Sequence, residues 1–179
     1  MELHCLENKS ILITGASGFI GSFMVERALA EGMEVWAAVR PTSSRRYLTD
    51  DRIHFIELDL SDELHLQHQL EDHLKEVGGR PFDYVIHAAG ATKCRRAEDF
   101  FTINAEGTAC LALTLLGTQA LLPTGRFVFI SSLSVMGPLH ERDGKDIMAS
   151  ELARPNTAYG ASKLQAESML ADIRDLNYV

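Results

Sequence analysis

Cysteine is scarce in this chain. Cys5, Cys94 and Cys110 are the three present among 179 residues. No Cys-x-x-Cys or Cys/His spacing joins them, which argues against a zinc module or a disulfide-framed secreted fold and suits a reducing cytoplasm. Basic charge is in deficit. The net charge is −8, and Arg45-Arg46 and Arg95-Arg96 are isolated pairs with no basic stripe between them. A nucleic-acid surface is therefore not expected. No apolar run reaches the roughly 18 residues that a membrane span needs. The opening Met1-Glu2-Leu3-His4 has neither the basic region nor the apolar core of an export signal. There is no internal repeat and no low-complexity stretch. What is present is ordinary: 46% hydrophobic and 23% charged residues, enough for one globular core.

His65, His68 and His73 invite a metal reading. On a helix from Ser61 to Val77 the apolar stripe is Leu66, Leu70, Leu74 and Val77, and His65 and His68 face away from it. No cysteine or carboxylate arrangement completes a ligand set, so no metal is expected.

Along the chain, short apolar runs alternate with helical patterns. Strands are expected at Ser10–Thr14, Glu34–Val39, Ile53–Leu58, Tyr84–His87 and Arg126–Ser131. They are rich in Ile and Val and apolar on both faces, as buried parallel strands are. Helices are expected at Phe19–Glu31, Ser61–Val77, Ala97–Leu122 and Ala158–Asp172. This alternation implies an α/β fold, a doubly wound parallel sheet. The connection from Gly137 to Thr157 is long enough to suggest a functional loop. Leu176-Asn177-Tyr178-Val179 reads as the opening of a sixth strand, from which the chain is expected to be a piece of a longer product, less stable alone and prone to associate.

The ligand class is written into the first strand–helix junction. Thr14-Gly15-Ala16-Ser17-Gly18-Phe19-Ile20-Gly21 follows the apolar run Ile11-Leu12-Ile13 and leads into a helix and a second strand. Glycines at this spacing permit a tight turn, close approach of a pyrophosphate and close helix–strand packing. The phosphates then meet the N–H groups and dipole of a helix N-terminus.

A second constellation carries acid–base chemistry. In Tyr159-Gly160-Ala161-Ser162-Lys163 the four-residue spacing places phenol and ammonium on one helix face. A neighbouring positive charge favours the phenolate and makes the phenol a usable acid–base. Lys163 shares its stripe with Ala166 and Leu170, unlike a solvated lysine. Ser131-Ser132-Leu133-Ser134 follows the fifth strand, at the strand end where open α/β sheets bind ligands.

With these motifs the chain resembles the extended short-chain dehydrogenase/reductases, in the NAD-dependent epimerase/dehydratase family, over essentially its whole length. The resemblance implies a Rossmann NAD(P)-binding domain over residues 1–179, with the substrate domain lying outside the chain. It places the cofactor on Gly15, Ser17, Gly18, Phe19, Ile20 and Gly21, on Asp59 and Leu60 beside the adenine, and on Ala88, Ala89 and Gly90 of His87-Ala88-Ala89-Gly90. Asn104 opens an Asn-x-x-Gly-Thr helix start and joins that set. The catalytic residues implied are Ser132, Tyr159 and Lys163. Ser132 is preferred because it lies four before Met136-Gly137, where relatives carry Tyr-Gly. Tyr159 would exchange the proton, Lys163 would hold the nicotinamide ribose and lower the Tyr159 pKa, and Ser132 would orient the reacting oxygen.

Three functions compete. The first is an oxidoreductase moving hydride to or from a carbonyl or alcohol substrate. The second is a nucleotide-sugar epimerase using bound NAD. The third is a non-catalytic NADP-sensing protein, which the intact Ser–Tyr–Lys set disfavours. A sugar dehydratase is disfavoured because Leu133-Ser134 stands where such relatives carry Asp-Glu. Partners are expected to be small molecules, a sugar nucleotide or a carbonyl compound, with a homodimer as the self-association to test. NADP is expected over NAD. No acid ends the second strand at Val39, Arg40 follows it, and Thr42, Ser43, Ser44 and Arg45 add hydroxyls and a second cation. Val-Arg here resembles the NADPH-dependent reductases of the family, such as dihydroflavonol and cinnamoyl-CoA reductases.

Overall fold

Apolar runs long enough for one strand each, separated by amphipathic stretches, build a sheet covered on its two faces. The computed structural model describes residues 6–138, 146–147 and 151–179. Cys5, the N-terminal Met1-Glu2-Leu3-His4 and residues 139–145 and 148–150 of the expected loop between Gly137 and Thr157 lie outside the described residues. The strands are β1 (Ser10–Thr14), β2 (Glu34–Ala38), β3 (His54–Ile56), β4 (Phe82–His87) and β5 (Leu121–Phe129). The helices are α1 (Phe19–Ala30), α2 (Glu63–Glu76), α3 (Ala97–Phe101), α4 (Gly107–Gly117) and α5 (Ala158–Asp172). A π-helical turn, Thr102–Glu106, joins α3 to α4, and a 3₁₀ turn, Leu133–Met136, follows β5.

The five strands pair in parallel in the order β3-β2-β1-β4-β5. Successive β1 residues point to opposite faces and feed separate cores. Leu12 packs with Leu66, Leu70, Leu111, Leu115, Phe127 and Leu170, under α2, α4 and α5. Ile11 and Ile13 pack with Val25, Leu29, Val35, Val39 and Leu48, under α1. Burying each such side chain contributes about 1.5–3 kcal/mol.

Beyond α5, residues 177–179 run parallel to β5. Phe127 N–H donates to the Asn177 carbonyl at 2.9 Å, and Phe129 N–H to that of Val179 at 2.8 Å. The expected sixth strand begins there.

The third strand is shorter than the expected Ile53–Leu58, and the fifth spans Leu121–Phe129 where Arg126–Ser131 was expected. The helix read as Ala97–Leu122 ends at Gly117, and Leu121 already pairs with Phe82 in β4. Gln119 turns left-handed at φ +59°, and the N–H groups of Gln119 and Ala120 reach back to the carbonyls of Leu116 and Leu115. That double bond closes the helix. The helical run Ala97–Gly117 is long and apolar enough to cross a membrane, which the sequence reading did not find; half of it is buried in the core, the condition of an interior helix.

Candidate functional site

β1 lies between β2 and β4, so the chain leaves it toward one side of the sheet and β4 approaches from the other. The loops after β1 and β4 meet at this reversal, where a crevice forms at the carboxyl ends of the strands. Gly15, at φ +66°, presses against the second loop: a Cβ there would stand 2.6 Å from Ala88 C and Ala89 N. A Cβ on Gly21 would fall 2.1 Å from the Gly15 carbonyl oxygen. The protein's own backbone therefore requires both glycines.

Gly18 is different. A Cβ there would meet one neighbour, Gly15 O at 3.2 Å, and the residue is exposed. Gly18 also caps α1 with no side-chain bond, and α1 has no acid in its first turn. By contrast Asp62 caps α2 through His65 N–H, and Thr157 caps α5 through Gly160 N–H. An uncapped helix N-terminus behind a surface without a side chain fits the pyrophosphate of a dinucleotide. Phe19 and Ile20 are exposed beside it, and Ser17 is half-buried.

A buried hydrogen-bonded chain stitches the crevice together. Ala89 N–H donates to Thr14 Oγ1 at 3.3 Å, and Thr14 Oγ1 meets His87 Nδ1 at 2.6 Å. On the other side of the ring His87 Nε2 meets Thr108 Oγ1 at 3.0 Å, and Thr108 donates to the Asn104 carbonyl at 2.6 Å. With the Thr108 hydroxyl proton spent on Asn104, His87 donates from Nε2 and accepts at Nδ1 from Thr14. Burial, reinforced by the nearby Lys163 charge, lowers the His87 pKa to about 3, so the ring is neutral.

Asn104 joins this chain to α5. Its Oδ1 accepts from Ala91 N–H at 2.7 Å, while Nδ2 donates to the Ala91 carbonyl at 3.0 Å and to Ser162 Oγ at 3.1 Å. The π turn places Asn104 so that the residue is wholly buried. On α5, Lys163 is buried; its Nζ donates to the Ile130 carbonyl at 3.0 Å and stands 4.6 Å over the Phe129 ring. Gly90 makes room for it, since a Cβ there would lie 3.3 Å from Nζ. Burial pulls the Lys163 pKa down to about 8 against the opposing effect of Glu167. Tyr159, one turn earlier, is half-buried with its ring edge-on to Phe100. Ser132 opens the 3₁₀ turn, where its Oγ accepts from Ser134 N–H at 3.2 Å. Gly160 lets that turn touch α5, because a Cβ would fall 2.4 Å from the Ser134 carbonyl oxygen.

The structure thus brings the glycine turn, Ala88–Gly90, Asn104 and Lys163 into one connected region. Arg40 lies on the other flank of β1, at the end of β2, with an exposed side chain that makes no ion pair or hydrogen bond among the described residues. Asp59 and Leu60 follow β3 at the sheet edge. The Asp59 carboxyl accepts from the Ser61 hydroxyl and N–H, which hold its pKa below the usual range, and Leu60 packs on the core. His73 is a core residue, its ring edge-on to Trp36 and stacked on Phe82. Sequence reasoning missed Thr14, Ser162 and Glu167. Thr14 and Ser162 were quoted inside motifs, yet nothing in a one-dimensional pattern shows which hydroxyl is buried. Glu167 had a signal, its four-residue spacing from Lys163.

The sequence model of the NAD dependent epimerase/dehydratase family matches residues 11–178. A UDP-glucose 4-epimerase of Mus musculus is 29% identical over 187 residues, covering 92% of this chain and 49% of its own length. A short-chain dehydrogenase of Pyricularia oryzae is 28% identical over 141 residues, covering 74% of this chain and 49% of its own length. The chain spans about half the length of the curated relatives it matches. Among solved structures, the Helicobacter pylori ADP-L-glycero-D-manno-heptose-6-epimerase superposes with a TM-score of 0.76 at 23% identity, covering 99% of this chain and 55% of that one. The Bordetella bronchiseptica enzyme WbmG, solved with NAD and UDP, superposes with a TM-score of 0.74 at 23% identity, covering 96% and 52%. By the match across nearly its whole length, this chain belongs to the NAD-dependent epimerase/dehydratase family.

Proposed function

We propose that this chain is the dinucleotide-binding part of a nucleotide-sugar epimerase in which Tyr159 moves the proton. The observation that carries the reading is Lys163, an ammonium buried beside Gly90 one helical turn from Tyr159. A structural lysine has no reason to be desolvated there. Gly15–Gly21, Ala88–Gly90 and Lys163 would hold a nicotinamide dinucleotide, with Asp59 and Leu60 on its adenine side. When bound, that group supplies the hydride acceptor and donor. Tyr159 takes the proton from a sugar hydroxyl as its carbon is oxidised and returns it on reduction. Lys163 stabilises the phenolate, and Ser132 donates a hydrogen bond to the reacting oxygen. The curated relatives, UDP-glucose 4-epimerases of Mus musculus, Streptomyces lividans and Erwinia amylovora among them, support a sugar nucleotide as substrate.

A second reading, an NADP(H)-dependent reductase, is favoured by Arg40, an exposed cation where an NAD site would place an acid. Incubating the full-length protein with UDP-sugars separates the two. Stereochemical inversion followed by proton NMR, with no net change in nicotinamide absorbance, is expected of the epimerase. Stoichiometric consumption of reduced nicotinamide would move the assignment to a reductase. Tyr159→Phe should lower turnover by ~10²–10⁴-fold with the fold intact; near-normal turnover would remove Tyr159 from the acid–base role.

A further inference from the structure

Three consecutive residues leave β5, and each is tied down differently. The Ile130 carbonyl holds Lys163 Nζ, the Ser131 hydroxyl is hydrogen-bonded to Glu167 Oε1, and Ser132 caps the turn that follows. Glu167 lies one turn beyond Lys163 on α5, a spacing at which side chains are neighbours. Ser131 and Ser132 therefore divide the work: the first grips a carboxylate on the helix, and the second turns to the Ser134 amide.

We infer that Glu167, anchored by Ser131, is a positioning residue for the Tyr159–Lys163 pair, clamping α5 to the end of β5 and setting its negative charge against the Lys163 ammonium. The inference rests on the proposed role of that pair. Among the described residues, the other groups around Lys163 carry no fixed negative charge. His87 on β4 is neutral and occupied by Thr14 and Thr108. Asn104 in the π turn is occupied by Ala91 and Ser162, Phe129 on β5 offers a ring face, and Tyr159 is the phenol one turn back. Among the described residues Glu167 is the acid that opposes the effect of burial on Lys163.

The test titrates the Lys163 side chain directly, by NMR of protein carrying ¹³C-labelled lysine, the resonance being assigned with Lys163→Arg. In Glu167→Gln the amide keeps a partner for Ser131 but loses the charge, and the Lys163 midpoint should fall by about one pH unit. Ser131→Ala should lower it less, and Glu167→Asp should restore part of the shift. Calorimetric binding of NADH and NADPH above the new midpoint should weaken several-fold in Glu167→Gln. A folded Glu167→Gln protein with an unmoved Lys163 midpoint overturns the inference, even if its melting temperature falls. Should Glu167→Gln not fold, an unmoved midpoint in Ser131→Ala overturns it equally. Wild-type protein that binds neither dinucleotide defeats the proposed function, while the lysine titration still decides the role of Glu167.

Discussion

His87 shows how a residue inside a ligand-binding motif can be committed to the fold. The unfolded histidine takes a proton near its ordinary pKa of 6.5, whereas the buried ring takes one only near about 3. Between those values the unfolded chain binds the extra proton, so stability is full above the window and is lost as pH falls through it. Each pH unit in the window costs about 1.4 kcal/mol for one such group. His73, its pKa also lowered by burial, adds in the same direction. Chemical denaturation at pH 7 and pH 5 should therefore register a loss of roughly 2 kcal/mol, and His87→Gln should flatten that slope. Equal slopes in the two proteins would contradict the assignment. At Gly18 the protein's own backbone leaves room for a side chain. Gly18→Val should fold, by circular dichroism, yet lose dinucleotide binding in calorimetry, while Gly21→Val should not fold because its Cβ has no space. Unchanged affinity in Gly18→Val would remove the pyrophosphate from this turn.

Among the elements, the π turn between α3 and α4 is the one that the site depends on. A wider turn interrupts a helix that would otherwise run straight, and such interruptions cluster at functional sites. Here it buries Asn104 and lets one side chain satisfy both backbone groups of Ala91 and reach Ser162. Asn104→Ala should cost roughly 2–4 kcal/mol, because it orphans buried partners as well as losing bonds. Hydrogen exchange at the Ala91 amide should accelerate, and a loss below roughly 0.5 kcal/mol would mean the network is dispensable. The sequence singles out Asn104 through its Asn-x-x-Gly-Thr motif, but the π turn and the partners of Asn104 were not legible, since that run reads as ordinary helix. The helix end was hidden for a related reason. α1 and α2 close on left-handed Gly32 and Gly78, which a reader can see, but α4 closes on Gln119 in the same conformation. Ala120-Leu121-Leu122 then continue the apolar pattern into β5 without a break. The other strands, the glycine turn and the Tyr159–Lys163 spacing were legible because local period and backbone chemistry dictate them. The partners of Lys163 were not, because Ile130, Phe129 and Gly90 reach it from other strands and loops.

At the scale of the molecule, the strand order sets the reach of the site. β1 stands between β2 and β4, so a dinucleotide held over Gly15–Gly21, as proposed, would have one end toward Arg40 and the other toward Lys163. The two flanks differ chemically. Toward β4 and β5 Thr14, His87, Asn104, Thr108 and Lys163 are buried and hydrogen-bonded, whereas beyond β2 Arg40 is exposed, Val39 beneath it is apolar core, and Ser43 Oγ accepts from the Arg40 N–H at 3.2 Å. No carboxylate ends β2 to receive two ribose hydroxyls, and a planar guanidinium is suited to a phosphate there. On the second, reductase reading NADP(H) should bind more tightly than NAD(H), with Arg40→Ala costing about tenfold in NADPH affinity, as for loss of one charge-assisted bond of about 1.5 kcal/mol, and leaving NADH affinity nearly unchanged. Calorimetry on the four protein–cofactor pairs measures this directly. If NADH binds more tightly, or if Arg40→Ala weakens both dinucleotides alike, Arg40 is a solvated residue after a strand, and the cofactor choice falls to NAD, in keeping with the epimerase reading.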